Sequence, residues 1–476
     1  MTREISLARF APIGDFILGT RPSRLPQEVR RFASLLLLDT LGVAAAAATM
    51  EPARIAREVA TRLYRAGPDG PAAKLLFDGR NVSVPGAVFA AAAQIDNLDA
   101  HDGYNPSKGH TGVVVVPALL AFAQTLRALP ARQAIDALVI GYEVGARAAI
   151  ALHKTASDYH SSGAWNALAV AALGARLSKL RADQLRDALG IAEYHGPRSQ
   201  MMRVIDHPTM LHDGSAFGAL AGASAVFLAQ AGYTGAPAIT VESDAVSELW
   251  EDLGETFRIT QHYIKPYPIC RWAHALIEGA LKLRSEHAFV LDEIVSIELA
   301  TFREAARLFR GVPRTSPVAQ YAISFPVAAA LANGHLGVHE LADASLQDEN
   351  ISRLVDLTSI REEDAYTREF PKSRLGDVEL VLRDGSRLRS GTLDARGGPE
   401  APMTESEIIT KYREYATPAL GRRRAHALET SVLELREDHG DFCSVLALTS
   451  KKSGRLSAPT RPGHETSDVA KARRSS

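Results

Sequence analysis

Residues 96–112 read DNLDAHDGYNPSKGHTG and stand between two apolar runs, AVFAAAAQI (87–95) and VVVVPALLAFAQTL (113–126). Apolar runs of this length are typical of buried helices, so the polar segment between them is predicted to be a loop set into the interior. Titratable groups in such a loop are partly desolvated, and their pKa values are open to large shifts. A solvated surface turn is the alternative, because Asn-Pro and Lys-Gly pairs also suit turns. We call residues 96–112 the central stretch.

The central stretch is rich in side chains that carry chemistry. They are Asp96, Asp99, His101, Asp102, Lys108 and His110. Histidine and aspartate could ligate zinc or iron, but the paired spacings of metal sites, such as HxH or HxxxH, do not occur there. Acid–base chemistry is the favoured interpretation, because one semi-buried group can take a proton from carbon while a second protonates a leaving group. We therefore predict no metal site.

Composition excludes several classes of function. The chain has 476 residues, a formal net charge of −1 and two cysteines. This length predicts two to four domains, and the neutral balance leaves no electrostatic footprint for nucleic acid or an anionic membrane. Two cysteines make neither a disulfide framework nor a zinc cluster. The first 20 residues lack the pattern of a signal peptide, so the expectation is a soluble cytoplasmic protein.

Residues 1–250 are predicted to be helix after helix, and two further polar loops, 158–163 and 207–214, each precede a helix of small residues. The first loop contains His160, and its serines are candidate N-caps beside which an anion such as a substrate carboxylate could bind. The second contains His212. On another helix, the i,i+4 spacing of Glu143 and Arg147 favours a structural ion pair.

The pattern changes near residue 260. Residues 295–302 alternate like a half-buried strand, and GDVELVLRDGSRLRSGTL (376–393) predicts a hairpin turning at Asp384-Gly385. In the run SPVAQYAISFPVAAALANG (316–334), Pro326 should break or kink a buried helix. We therefore predict a mainly α protein with a large all-helical domain and a smaller α+β lid domain. The predicted divisions are 1–266 (helical, first part), 267–395 (α+β lid), 396–450 (helical, C-terminal part) and 451–476 (a disordered tail).

Seven motifs occur in an order that resembles the MmgE/PrpD family. They are Leu38–Gly42, His110 with the following PALLAFAQ, Tyr142-Glu143-Val144 with Arg147, His160–Gly163, Asp187–Ala192, the run 212–235, and Lys265–Cys270 with His274. The family includes 2-methylcitrate dehydratase, cis-aconitate decarboxylase and iminodisuccinate epimerase. The resemblance covers residues 30–415 and implies the same two-part fold, catalysis without metal or organic cofactor, and a homodimer.

The resemblance also implies which residues do the chemistry. Asp99, His110 and His160 match family active-site positions, and Lys265 opens the hinge motif that leads into the lid. On this basis Asp99 or His160 would abstract a proton, His110 would assist the leaving group, and Lys265 would hold a carboxylate. The residues expected to bind a small carboxylate substrate are His101, Lys108, His212, Arg271 and His274.

The chain departs from the family pattern at Thr209, where relatives often carry a lysine, and Lys108 could replace that cation. The favoured function is a cofactor-independent lyase of the dehydratase type, acting next to a carboxylate of a small di- or tricarboxylic acid. An isomerase, epimerase or decarboxylase on the same scaffold is the alternative, because all share a carbanion-like intermediate. A non-catalytic binding protein is the third hypothesis. Cys270 could be a nucleophile, although a buried structural thiol is the favoured interpretation.

Overall fold

The structure is a computed structural model that describes residues 3–19, 25–342, 344–437 and 440–453, with side chains from residue 7 onward. The helices before residue 243 are α1 (Arg3–Leu18), α2 (Gln27–Ala47), α3 (Glu51–Leu63), α4 (Val84–Asp96), α5 (Gly112–Ala123), α6 (Ala131–Thr155), α7 (Gly163–Leu177), α8 (Ala182–His195), α9 (Met202–Asp206), α10 (Ser215–Gln230) and α11 (Ile239–Glu242). A short antiparallel pair, β1 (Ala72–Lys74) and β2 (Asn81–Ser83), interrupts them. The first part of the chain is therefore helical, as predicted.

Small residues set the spacing of the inner helices. Helices α4, α5, α7 and α10 pack against one another, and α5 is buried along its whole length. On α10, a Cβ added at Gly218 would lie 2.3 Å from the carbonyl oxygen of Gly163, so only glycine permits this approach of α10 to α7. Ser83 caps α4, because its hydroxyl accepts the backbone N–H of Gly86 at 3.2 Å.

The second part mixes helices and strands. Its helices are α12 (His274–Glu286), α13 (Ser316–Gln320), α14 (Ser324–Asn333), α15 (Glu349–Asp356), α16 (Asp364–Glu369), α17 (Glu405–Leu420), α18 (Arg422–Glu434) and α19 (Phe442–Thr449). Its strands are β3 (Ile294–Thr301), β4 (Thr358–Glu362), β5 (Leu375–Leu382), β6 (Arg387–Arg389) and β7 (Leu393–Asp394). The mainly α fold with a smaller α+β part is thus confirmed.

One sheet organises the α+β part. Its order is β4-β3-β5-β6, with β7 paired to the start of β5. Strand β3 runs parallel to β4 and antiparallel to β5, with Leu299 opposite both Ile360 and Val378. Alternate residues of β5 are buried beneath α12, which is the pattern predicted for a half-buried strand. The predicted hairpin is also present, with Gly385 at a φ of +86° in its turn.

The predicted buried helix at 316–334 is two helices, α13 and α14, separated at Tyr321–Ile323. Pro326 lies in the first turn of α14, where its missing N–H has no intrahelical partner to lose. Its ring would clash with the carbonyl of Ala322 in a continuous helix. The break therefore falls before the proline, and it leaves Gln320 and Tyr321 at a bend beside the central stretch.

The expected Glu143–Arg147 ion pair is confirmed on α6 at 3.3 Å. Glu143 also accepts the backbone N–H of Ile259 at 2.8 Å, so the pair ties α6 to the segment that follows α11. No single helix in the described residues is long and apolar enough to cross a membrane; α2 and α3, bent by 91°, pass that test only as a pair and by length and composition alone. The predicted tail lies almost wholly outside the described residues, which end at 453.

Candidate active site

The central stretch is an interior loop between α4 and α5. Asp99 and His101 are no more than 4% exposed. Partners from distant parts of the chain satisfy its backbone: Gln320 accepts the Asp99 N–H at 2.8 Å, and Gly103 exchanges two backbone hydrogen bonds with Tyr263. A loop can be buried only when its polar groups are paired in this way. The buried-loop prediction is therefore confirmed over the surface turn.

Lys265 and Asp99 form a buried ion pair at the centre of the loop. The Lys265 ammonium donates to the Asp99 carboxylate and, at 3.1 Å, to the carbonyl oxygen of the same residue. Burial by itself would raise the pKa of Asp99. The charge of Lys265 is the largest effect that opposes burial, and the pKa of Asp99 lies well below its usual range. Asp99 is therefore an ionised carboxylate, and the lysine fixes its position.

His110 presents one free ring nitrogen to two carboxyl groups. Its Nδ1 lies 2.8 Å from the carbonyl oxygen of Asp102, and because a carbonyl only accepts, Nδ1 carries the proton. In the neutral ring, Nε2 then holds a lone pair. Nε2 lies 3.8 Å from Asp99 Oδ1 and 3.8 Å from Asp213 Oδ2. Burial, reinforced by the charge of Lys265, lowers the pKa of His110 to about 3, so the ring is an unprotonated base at neutral pH.

Asp213 and Asp96 are two carboxyl groups that hold protons more tightly than usual. The Ser162 hydroxyl donates to Asp213 Oδ2 at 2.6 Å and accepts the backbone N–H of His110 at 3.1 Å. Burial raises the pKa of Asp213 to about 6, and the charge of Asp99 adds to the rise. Burial also raises the pKa of Asp96 well above its ordinary value, with the charges of Asp213 and Asp99 adding to the effect. The cluster thus places acidic groups beside a neutral base.

His101 and His212 complete the walls of the cluster. The His101 ring meets the His110 ring edge to face at 4.6 Å, and its Nε2 lies 3.8 Å from Asp96. His212 has a φ of +43°, an unusual backbone conformation for a residue with a side chain. Its ring lies 5.3 Å from that of Tyr321, and neither ring nitrogen has a hydrogen-bond partner in the described structure. Burial lowers the pKa of His212 to about 4.

Two expected site residues lie apart from this cluster. His160 is partly exposed, and its Nδ1 lies 2.8 Å from the carbonyl oxygen of Asp158. The Lys108 ammonium lies 4.5 Å from the centre of the Tyr159 ring. No contact in the described part of the chain joins either side chain to Asp99. In the same loop as His160, Ser162 also differs from expectation. It is in the N-cap position of α7, but its hydroxyl donates to Asp213 instead of capping the helix.

Two further expected substrate-binding residues hold backbone groups. Arg271 donates to the carbonyl oxygens of Ala395, at 2.6 Å, and Arg396, while its guanidinium covers the ring of Tyr263 at 4.1 Å. His274 Nε2 lies 3.0 Å from the carbonyl oxygen of Ile269. In this conformation both side chains fasten the segment that enters the α+β part.

Ligand atoms of Asp99, His101 and His110 all lie within 4.8 Å of one another, so among the described residues these are the ones that could hold a metal ion. The Lys265 ammonium already pairs with the Asp99 carboxylate, and a divalent cation would have to displace that charge. Cys270 is buried nearby, and burial raises the pKa of its thiol to about 12, which opposes a nucleophilic role.

Some residues of the site carried little signal in the sequence. Asp213 stood in a polar loop that the sequence singled out, but nothing there gave it a role. Ser162 and Gln320 act through partners 51 and 221 residues away in the chain, separations that no local pattern records.

A profile of the MmgE/PrpD N-terminal domain matches residues 11–250, and one of the MmgE/PrpD C-terminal domain matches residues 267–437. The chain belongs to the MmgE/PrpD family. Three relatives show the range of similarity. The cis-aconitate decarboxylase-like protein oryM of Aspergillus oryzae is 23% identical, with 92% of this chain and 97% of that protein covered. The cis-aconitate decarboxylase of Aspergillus terreus is 24% identical over 86% and 90%, and that of Mus musculus is 23% identical over 80% and 82%.

Proposed function

We propose that this MmgE/PrpD protein is a lyase that moves a proton at a carbon next to a carboxylate of a small di- or tricarboxylic acid. One observation carries the proposal: the free Nε2 of His110 lies 3.8 Å from both Asp99 and Asp213. A neutral base and a proton-holding carboxyl group with separated pKa values are the parts that lyase chemistry needs. The names of the relatives support a carboxylic acid as the substrate.

The same residues suit two lyase reactions. In a dehydration, His110 Nε2 takes the C–H proton, and the departing hydroxyl group leaves as water with a proton from Asp213. In a decarboxylation, the electron pair of the C–CO2 bond stays on the substrate, CO2 leaves, and Asp213 supplies the proton that the carbon framework takes up. The relatives' names favour decarboxylation as the first reaction to test, and dehydration, which the sequence favoured, is the second.

The Asp99 carboxylate is engaged by the Lys265 ammonium, whereas Nε2 of His110 is a free lone pair that faces two carboxyl groups. We therefore assign proton abstraction to His110. Lys265, held by Asp99, would stabilise the negative charge that develops on the substrate. His160 stays a candidate that would need to approach on substrate binding. Because Asp99 and Lys265 are almost fully buried, substrate entry requires the surrounding segments to move.

The experiment is incubation of the purified protein in deuterated buffer with cis-aconitate, citrate, 2-methylcitrate, malate and iminodisuccinate, each followed by NMR. We expect deuterium at the carbon next to a carboxylate, and loss of CO2 or water from one acid. The variant H110Q should lose exchange, while H335Q, at a half-exposed histidine paired with Glu340 and Glu414, should keep it. A folded protein that exchanges none of these acids would contradict the proposal and favour a binding protein.

Two further expectations from the sequence enter the same set of measurements. Activity unchanged after treatment with EDTA would support catalysis without a metal, whereas loss that is restored by zinc would point to Asp99, His101 and His110 as ligands. Light scattering on the purified protein would test the homodimer.

A further inference from the structure

Arg374 is a buried cation that no motif of the sequence singles out. It immediately precedes β5, is 2% exposed, and its backbone N–H donates to Asp394 at 2.8 Å. The segment before it touches the central stretch, because the Asn105 side chain donates to the carbonyl oxygen of Lys372 at 3.1 Å. Arg374 therefore stands where the α+β part meets the central stretch.

One edge of the Arg374 guanidinium is free. Nη1 donates to the carbonyl oxygen of Pro371 at 2.5 Å, and the group lies 5.4 Å from the centre of the Phe370 ring. Nε is buried without a partner, and Nη2 donates to no residue in the described ranges. Nε–H and Nη2–H share one edge of the guanidinium plane, which is the edge that binds a carboxylate through two parallel hydrogen bonds.

Several residues connect Arg374 with the catalytic cluster. The side chains that interact electrostatically with it include Tyr159, Tyr263 and Cys270, and its charge contributes to the low pKa of His110. Tyr263 is also the residue whose backbone pairs with Gly103 of the central stretch. No carboxylate of the described chain forms an ion pair with the Arg374 guanidinium, and from Arg374 the Asp394 side chain accepts only the backbone N–H.

The other buried cations nearby are already engaged. Lys265 is paired with Asp99, and Arg271 is held by two backbone carbonyls. A buried guanidinium with an unpaired edge is costly unless an anion completes it. Arg271 also keeps a buried Nε without a partner, but both of its Nη atoms are engaged. Among these three cations of the described chain, Arg374 is therefore the one whose Nε and Nη2 are both free on one edge.

We propose that Arg374 binds a carboxylate of the substrate through its Nε–Nη2 edge. The inference rests on the proposed function for the substrate class, and it adds the residue that recognises the carboxylate. His110 and Asp213 come from the helical part and Arg374 from the α+β part, so a bound polycarboxylate would contact both. Substrate binding would then draw the two parts of the molecule together around the reacting carbon.

The test compares wild type with R374Q and R374K, with R389Q as the control. Arg389 is an exposed arginine of the same sheet, paired with Glu379 at 2.6 Å. The probe is tricarballylate, a saturated tricarboxylate with no hydroxyl group to eliminate and no double bond, and its Kd is measured by calorimetry. Removing two charge-assisted hydrogen bonds should raise the Kd about 10- to 100-fold in R374Q. R374K keeps the charge but not the paired edge, so its Kd should rise less, about 5- to 20-fold.

Kinetics with the acid that the wild type turns over provide the second readout. R374Q should raise KM by a similar factor while kcat falls less than about tenfold, because the lost contact exists before and during the reaction. An R374Q protein that is folded by circular dichroism and binds tricarballylate like R389Q would overturn the inference. R374K with the wild-type Kd would also overturn the paired-edge geometry, and this arm remains if R374Q does not fold.

The inference and the proposed function fail in different ways. Tricarballylate binding that weakens in R374Q, from a protein that turns over no acid, would keep the carboxylate site and reject the lyase. Turnover by the wild type with equal Kd and KM in R374Q and R389Q would keep the lyase and reject Arg374. A wild type that does not bind tricarballylate would overturn the inference, because an unpaired buried edge in a tricarboxylate site must add affinity.

Discussion

Two buried lysine–aspartate pairs hold consecutive residues of the central stretch. Lys265 pairs with Asp99 and donates to the carbonyl oxygen of Asp99 at 3.1 Å. Lys411 pairs with Asp39 at 2.7 Å and donates to the carbonyl oxygen of Ala100 at 2.7 Å. The chemistry of the two pairs is the same and their carbonyl acceptors are neighbours, yet Asp99 of the first pair faces His110, whereas the second pair lies near the Asp102 carboxyl group.

The pKa values record this difference. Burial dominates at Asp39 and raises its pKa despite the charge of Lys411. At Asp99, the charge of Lys265 is the largest effect that opposes burial, and the pKa falls. Lys411 and Asp39 join α17 to α2 and fasten the loop. A buried ion pair is thus structural or catalytic according to the groups around it, and the pair alone does not tell which.

The largest expected effect is at the histidine that distinguishes the two pairs. H110Q should lower kcat about 10²- to 10⁴-fold, because it removes the neutral base from beside Asp99. H262Q is the matched control, since His262 is also buried but both its ring nitrogens contact structural partners, Arg258 and Thr111. Steady-state kinetics on folded protein gives both values. Equal losses in the two variants would contradict the assignment of the base.

Replacing each lysine by methionine tests whether the two ion pairs differ in role. K265M should lower kcat about 10²- to 10³-fold, as expected for loss of a preorganised charge at the reacting centre. K411M should lower kcat less than about tenfold. Both variants should lose about 3–5 kcal/mol of unfolding free energy, because each leaves a buried carboxylate without its partner.

Denaturant titration measured beside kinetics separates the two roles. The double variant D39L/K411M should recover most of the stability that K411M loses, since replacing both partners removes the unpaired charge. If K411M were as inactive as K265M while still folded, the distinction between the pairs would not hold.

Asp213, the proposed acid, should determine how kcat/KM depends on pH. Because the pKa of Asp213 is raised to about 6, its protonated form exists below that pH and is lost above it. We expect kcat/KM to fall about tenfold per pH unit above pH 6, and D213N to be about 10- to 100-fold less active with that alkaline limb removed.

The raised pKa also means that Asp213 adds stability below pH 3.8 that disappears as the pH rises through 6. S162A, which removes the hydroxyl donor to Asp213, should shift the limb upward. A D213N profile like that of the wild type would reject this acid.

The smallest effect is expected at Lys108. Its ammonium lies on the Tyr159 ring instead of beside Asp99, so K108A should lower kcat/KM less than about tenfold, the size of a cation–π contact. T209K is the matched variant, because it adds a cation at the position where relatives often carry a lysine. A K108A variant as inactive as D99A would show that Lys108 reaches the substrate, as the sequence suggested it could.

The sequence determined the architecture of this protein because that information is local. Apolar runs flanking residues 96–112 predicted the buried loop, alternation predicted β3 and β5, and Asp384-Gly385 predicted the hairpin. Ordered motifs determined the family. They also drew attention to Asp99, His110 and Lys265, which the structure brings together across 166 residues.

Only the tertiary structure decided which charged residues face one another. Lys265 and Arg271 lie in one motif, yet Lys265 pairs with Asp99, whereas both Nη atoms of Arg271 donate to the backbone carbonyls of Ala395 and Arg396. No sequence pattern marked Arg374. Whether its Nε has a partner depends on which distant residues the fold packs beside it, and in the described structure Nε has none. The pKa values of His110 and Asp213 depend likewise on burial and on charges from distant segments. Local pattern fixes elements, whereas desolvation and pairing arise when those elements pack.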